Sequence, residues 1–172
     1  MSGVHERKRS ISSQRFFQLA IEIHADVMEL MANENVVPKR YRFLVGVPTA
    51  ETARSALYNI NRADEFFPNC AFNVIERRRY YKLAIADYEQ LYMDFQAMEK
   101  MPQLRARASS FEAVTAKIDE EIDLLDGVYK STNIRGLKDR TYDDLVQEAQ
   151  AELERRVSLR DAKLAEEAME DV

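Results

Sequence analysis

The chain has 172 residues and a formal net charge of −5, with four glycines, four prolines, one cysteine and no tryptophan. That length supports one domain with a real core, and a composition so poor in helix breakers favours helix. A lone Cys70 excludes an intramolecular disulfide framework, and no apolar run is long enough to span a bilayer or serve as a leader, so the expectation is a cytoplasmic protein without membrane contact.

Charge is unevenly divided. Residues 1–108 hold 16 Lys/Arg against 13 Asp/Glu, whereas residues 109–172 hold 9 against 17. A modestly basic body therefore precedes an acidic carboxyl-terminal part.

Residues 1–12 are polar, contain Arg7-Lys8-Arg9 and show no apolar period, which predicts a disordered basic arm. Ser12 or Ser13 can cap a first helix, where Phe16, Ala20, Ile23, Val27 and Leu30 alternate steps of four and three, flanked by Phe17, His24 and Met31. It should end near Asn33–Asn35, because Val36 and Val37 are β-branched and Pro38 disfavours helix in the residue before it. Residues 39–64 carry a second helical pattern through Phe43, Leu44, Ala53, Ala56, Leu57 and Ile60. Pro48 must either kink that helix or begin a new one. Phe66-Phe67-Pro68-Asn69 reads as a turn with apolar residues folded under it.

Asn73 and Glu76 have the spacing of a capping box. After them Tyr81, Ala84, Tyr88, Leu91, Phe95 and Met98 keep a seven-residue repeat, and Pro102 closes the helix. Ser109 or Ser110 can cap a fourth helix, lined by Phe111, Val114, Ile118, Ile122, Leu125 and Tyr129. Four amphipathic helices with short connections predict an all-α chain: an antiparallel four-helix bundle over residues 13–131. Residues 132–172 form an acidic helical tail whose thin stripe of Leu145, Ala149, Leu153, Val157 and Leu164 predicts a helix that projects, self-associates or frays.

Two clusters carry the functional signal. Lys39, Arg40 and Arg42 interleave with Tyr41 and Phe43, a pattern suited to phosphates and bases, although Phe43 itself reads as core. Arg77, Arg78, Arg79 and Lys82 stand near the start of the third helix, where cations oppose the macrodipole, so a phosphate or an acidic partner would compensate them. The alternative is that they face solvent or pair with Glu76, Asp87 and the acidic tail. His24, on an apolar face, reads as a hydrogen-bonded residue. Two histidines without a Glu-x-x-His pair, and a Cys70 without a histidine partner, give no metal site, no cofactor and no enzyme.

The stretch Val37-Pro38-Lys39-Arg40-Tyr41-Arg42-Phe43-Leu44-Val45-Gly46 resembles the opening of the second helix in the accessory variability determinant family, small bacterial four-helix-bundle proteins. Arg77–Arg79 and the run Tyr88 to Met98 match the arginine and the Leu/Tyr-rich heptad of the family's next helix, and Leu125-Asp126-Gly127-Val128-Tyr129 resembles its Gly-Gly-Trp-like ending. The resemblance spans about residues 13–131. It implies a non-enzymatic accessory protein of a diversity-generating retroelement, assembled as a homopentamer and binding a reverse transcriptase together with RNA or DNA. Three departures accompany it: Pro48 interrupts the second helix, the body is less basic than in the family, and the tail from Ile134 has no counterpart. A protein-only adaptor or phage-borne assembly protein is the rival reading.

Overall fold

The computed structural model describes residues 14–104, 106–134 and 141–170, and the side chains of Tyr142 and residues 164–170 fall outside that description. The arm expected over residues 1–12, and the proposed caps Ser12 and Ser13, lie outside the described residues. Five α-helices follow in order: α1 Arg15–Ala32, α2 Val47–Glu65, α3 Ala71–Lys100, α4 Ala108–Ser131 and α5 Tyr142–Glu170. Among the described residues there is no strand.

Helix α1 packs on α2, α2 on α3, α3 on α4, and α4 back on α1, closing a four-helix ring. Neighbours run antiparallel, as the cross-links between α2 and α3 record: Asn59 reaches Asp87 at 2.8 Å, Arg62 reaches Tyr80 at 3.3 Å, and Arg77 reaches Asp64 at 2.9 Å. The predicted stripes form the core, with Ile23, Val27, Tyr81, Tyr88, Leu91, Ile118 and Leu125 fully buried. The buried face of α2 is mostly small (Ala53, Ala56, Ala63), which lets the large rings of α3 share the interior with it. Phe95 and Phe111 stack at 4.5 Å between centroids. Each fully buried Leu, Ile or Phe contributes roughly 1.5–3 kcal/mol, so the bundle rests on this interior.

Of the two roles open to Pro48, the structure shows the second, the start of a helix. Lys39–Tyr41 form a single 3₁₀ turn and Arg42–Gly46 a π-turn, in which the Val47 amide donates to the Arg42 carbonyl; α2 then begins with Pro48 as its second residue, where a missing N–H costs nothing. This wide turn corrects the placement of Phe43: its ring is 85 % exposed, and Leu44 beside it is 70 % exposed. Phe67 in the next connection is likewise half exposed rather than folded under.

Two predicted caps are corrected as well. Helix α3 starts at Ala71, so Asn73 lies inside it and donates to the Phe67 carbonyl (2.9 Å) and to Asn69 (2.8 Å), while Glu76 pairs with Arg79. Helix α4 starts at Ala108 with Arg107 as its cap residue; Ser110 closes the turn from inside, its hydroxyl accepting from the Arg107 amide at 3.4 Å. Local spacing alone cannot choose between caps two or three residues apart when packing sets where the chain enters the helix.

The tail divides in two. Thr141 and Asp144 form a reciprocal cap, with the Thr141 amide donating to Asp144 at 2.9 Å and the Asp144 amide to the Thr141 hydroxyl at 3.2 Å. Leu145 then packs with Ile134, Ala71 and Val74 in a small second core beside the start of α3. Every described side chain from Leu153 to Lys163 is exposed. The first half of α5 thus docks on its own domain, and the second half projects.

Glu121 is the anomaly of the core. It is 0 % exposed, neither carboxylate oxygen has a hydrogen-bond partner, and the Tyr88 hydroxyl is equally unpartnered. Burial, with a smaller push from Glu120 and a counter-pull from Arg15, raises its pKa to about 8. The folded state therefore holds this proton more tightly than the unfolded chain. Stability is full below the unfolded carboxylate range and is lost as pH rises toward 8, by at most about 4–5 kcal/mol. Urea unfolding should give a lower midpoint at pH 8 than at pH 5, and Glu121→Gln should flatten that difference. An unchanged wild-type midpoint across this range would refute the assignment.

Candidate nucleic-acid interface

The run Arg77 to Lys82 is contiguous in sequence, but a helix turning about 100° per residue fans it out. Arg77 turns toward α2, holding Asp64 at 2.9 Å and donating to the Phe66 carbonyl at 3.2 Å, with its side chain only 13 % exposed. Arg78 turns toward α4, donating to the Thr132 carbonyl at 2.9 Å and to Asn133 at 3.3 Å. Lys82 stands one turn further on the same side, 3.3 Å from Asp126 and 4.5 Å from the centre of the Tyr129 ring. Arg79 alone points outward from this set; it pairs with Glu76 at 2.9 Å and stays largely exposed.

The other cluster sits at the opposite end of the bundle. Arg42 donates to the Ala32 carbonyl, the last of α1, and lies 3.8 Å from Glu34, which also takes Lys39 at 3.1 Å. The guanidinium of Arg40 lies 4.7 Å from the Tyr41 ring centre. Helix α2, with 19 residues, separates the two ends by about 28 Å. The structure does not bring the clusters together into one surface.

Between α2 and α3 lies a constellation that sequence reasoning missed. Arg62 is held between two rings, 4.5 Å from the centre of Tyr58 and 5.8 Å from that of Tyr80. Phe66 stacks on Tyr80 at 5.7 Å and 17°, and Arg79 approaches the same ring at 5.3 Å. Tyr58, Arg62, Phe66 and Tyr80 line a shallow cleft of about 450 Å³ with Asn61 and Glu65. Arg62 makes no ion pair with a described carboxylate, although Glu65 lines the same cleft. The Tyr58–Arg62 spacing of four residues was visible in the sequence; the contributions of Tyr80 and Phe66 come from another helix and a loop.

Of the remaining candidates, His24 is partly buried on α1, and burial, then the charge of Arg54, lowers its pKa. Cys70 is the N-cap residue of α3 and a free thiol. Among the described residues no group of three or more His, Cys, Asp or Glu could hold a metal ion, and no described helix is long and apolar enough to cross a membrane.

No protein-family model matches this chain, and no curated protein or solved structure is significantly similar to it. The likeness to the accessory variability determinant family therefore rests on the quoted sequence pattern alone.

Arg78→Ala should destabilise the fold by about 1–3 kcal/mol, because it strands the buried end of α4 and the Asn133 side chain. Arg79→Ala should change stability by less than about 0.5 kcal/mol. Urea titration of the two variants checks the contrast, and equal effects would show that Arg78 holds nothing in place.

Proposed function

We propose that this chain is a non-catalytic helical accessory protein that binds RNA or DNA on its α2–α3 face and, following the family resemblance, assembles as a homo-oligomer beside a reverse transcriptase. The observation that carries the reading is Arg62 between Tyr58 and Tyr80, with Arg79 and Phe66 on the same ring. Guanidinium groups alternating with ring faces contact phosphates and stack on bases without requiring a particular sequence. Of the residues singled out from sequence, Arg79 adjoins this face, whereas Lys82 turns toward α4 and Lys39, Arg40 and Arg42 stand at the other end of the bundle. A pentameric state and the reverse-transcriptase partner belong to the same proposal and draw on the resemblance alone.

A protein-only adaptor is supported by a different feature, the exposed pair Phe43 and Leu44 on the π-turn. Adjacent large apolar residues held in solvent by a rigid turn suit a protein contact better than a phosphate backbone.

Fluorescence anisotropy with a labelled single-stranded RNA over a range of salt separates the readings. Arg62→Glu with Arg79→Glu should weaken binding at least tenfold and reduce the salt slope by about 1.4, from roughly 0.7 per contact on a single strand. Tyr80→Ala should weaken binding with the slope unchanged. No RNA affinity in the wild-type chain, or full affinity in the double reversal, favours the adaptor.

A further inference from the structure

Glu121 is the only charged side chain among the buried residues of α4, and its oxygens have no hydrogen-bond partner. By helical register it stands nearer Lys117, which reaches α1, than Asp119 and Asp126, which reach α3. The buried carboxyl therefore lies on the α1 side of the apolar stripe. That seam is the thinnest of the four contacts in the ring. It is bridged by Arg15 with Glu120 at 3.0 Å and by Lys117 with Asp26 at 2.7 Å and Glu22 at 3.6 Å, all a third to a half exposed. Ion pairs so exposed hold little. Near Lys117 the two helices part around a groove of about 360 Å³ lined by Leu30, Asn33, Ser110 and Val114. The other seams are better secured, by the half-buried Arg77–Asp64 pair and by the stacked rings of Phe95 and Phe111.

None of the described groups facing Glu121 offers its carboxylate a buried counter-charge. From α4, Glu120 adds a like charge; from α1, Arg15 is the cation whose field reaches it, and Glu120 already holds that guanidinium. From α3 come Tyr81 and Tyr88, phenols that burial pushes up and so keeps neutral; Asp87 is held by Asn59. The buried face of α2 has no titratable group. His24 on α1 is uncharged in the alkaline range, since burial and Arg54 lower its pKa. A carboxylate formed here is stabilised only by moving outward to Arg15 and water.

We propose that Glu121 is a proton-operated latch on the α1–α4 seam: neutral, it keeps the seam shut, and on losing its proton to solvent it swings out to Arg15 and lifts the start of α1 from α4. The far end of α1 stays anchored, because Arg42 holds the Ala32 carbonyl. The sign follows from burial, which raises the pKa to about 8: the shut seam is fully stable below the ordinary carboxylate range and loses stability as pH rises toward 8. The opening is local, which goes beyond the loss of global stability, and it is independent of the nucleic-acid reading.

Hydrogen exchange read by mass spectrometry on the full chain at pH 6 and pH 9, corrected for intrinsic exchange, tests it. Once lifted, the start of α1 is a short helix without packing and frays. Protection of peptides from Arg15 to Val27 should fall at least tenfold between the two conditions. At pH 9 these peptides should also exchange at least tenfold faster than those of α2 and α3. Glu121→Gln, which cannot ionise, should abolish the pH-linked fall, and Glu121→Met replaces it if circular dichroism shows lost helix. Equal protection in α1, α2 and α3 at pH 9 would show that Glu121 ionises only on global unfolding, and would overturn the proposal. So would α1 protection that does not change with pH, or a fall that persists in the neutral variant.

Discussion

A helix that stops without a left-handed glycine must find another donor for its last carbonyls, and at three of the four bundle helices here the donor is an arginine. Arg42 reaches the end of α1 at Ala32, Arg77 the end of α2 at Phe66, and Arg78 the end of α4 at Thr132. The residues that terminate these helices, Asn33, Phe66 and Thr132, all have extended backbones, so no Schellman turn does the work. A guanidinium suits the position twice over, since it donates several hydrogen bonds in a fixed fork and its charge complements the negative end of the dipole. With Asp64 held as well, Arg77 joins the α2–α3 connection to the body of α3.

That arrangement changes the meaning of the basic clusters. Cations near the start of α3 oppose its own dipole, which from sequence suggested an external anion. In the fold, Arg77 and Arg78 complement the carboxyl ends of the two antiparallel neighbours, whose termini lie at the same level. An unfavourable term within one helix is offset by favourable terms in two others. The exposed charge beside the α2–α3 rings is therefore that of Arg62 and Arg79.

Two further features set limits on the bundle. Glu121 holds a carboxyl in a dry interior, where only the neutral form is inexpensive, so the core is tied to proton concentration in a way its apolar stripes do not require. Ile21, Met28, Leu44 and Val47, with Leu153 and Val157 on α5, leave apolar surface in water on a chain otherwise well packed.

The amino-acid sequence by itself determined the helices, their order and the composition of the interior, because a 3.6-residue apolar period records which face must leave water. It also placed the breaks near Asn33 and Pro102 correctly, where backbone sterics are local, and left open whether Pro48 kinks a helix or begins one. It could not decide where side chains at helix ends turn, and so it misplaced the caps of α3 and α4 and put Phe43 in the core. Tertiary structure alone decided that Arg77, Arg78 and Arg79 face three directions, that the two basic clusters stand at opposite ends, and that Tyr58, Arg62, Phe66 and Tyr80 meet. Each of those outcomes depends on the antiparallel register of neighbouring helices, which is set by packing across the core and is not encoded in the spacing of any one segment.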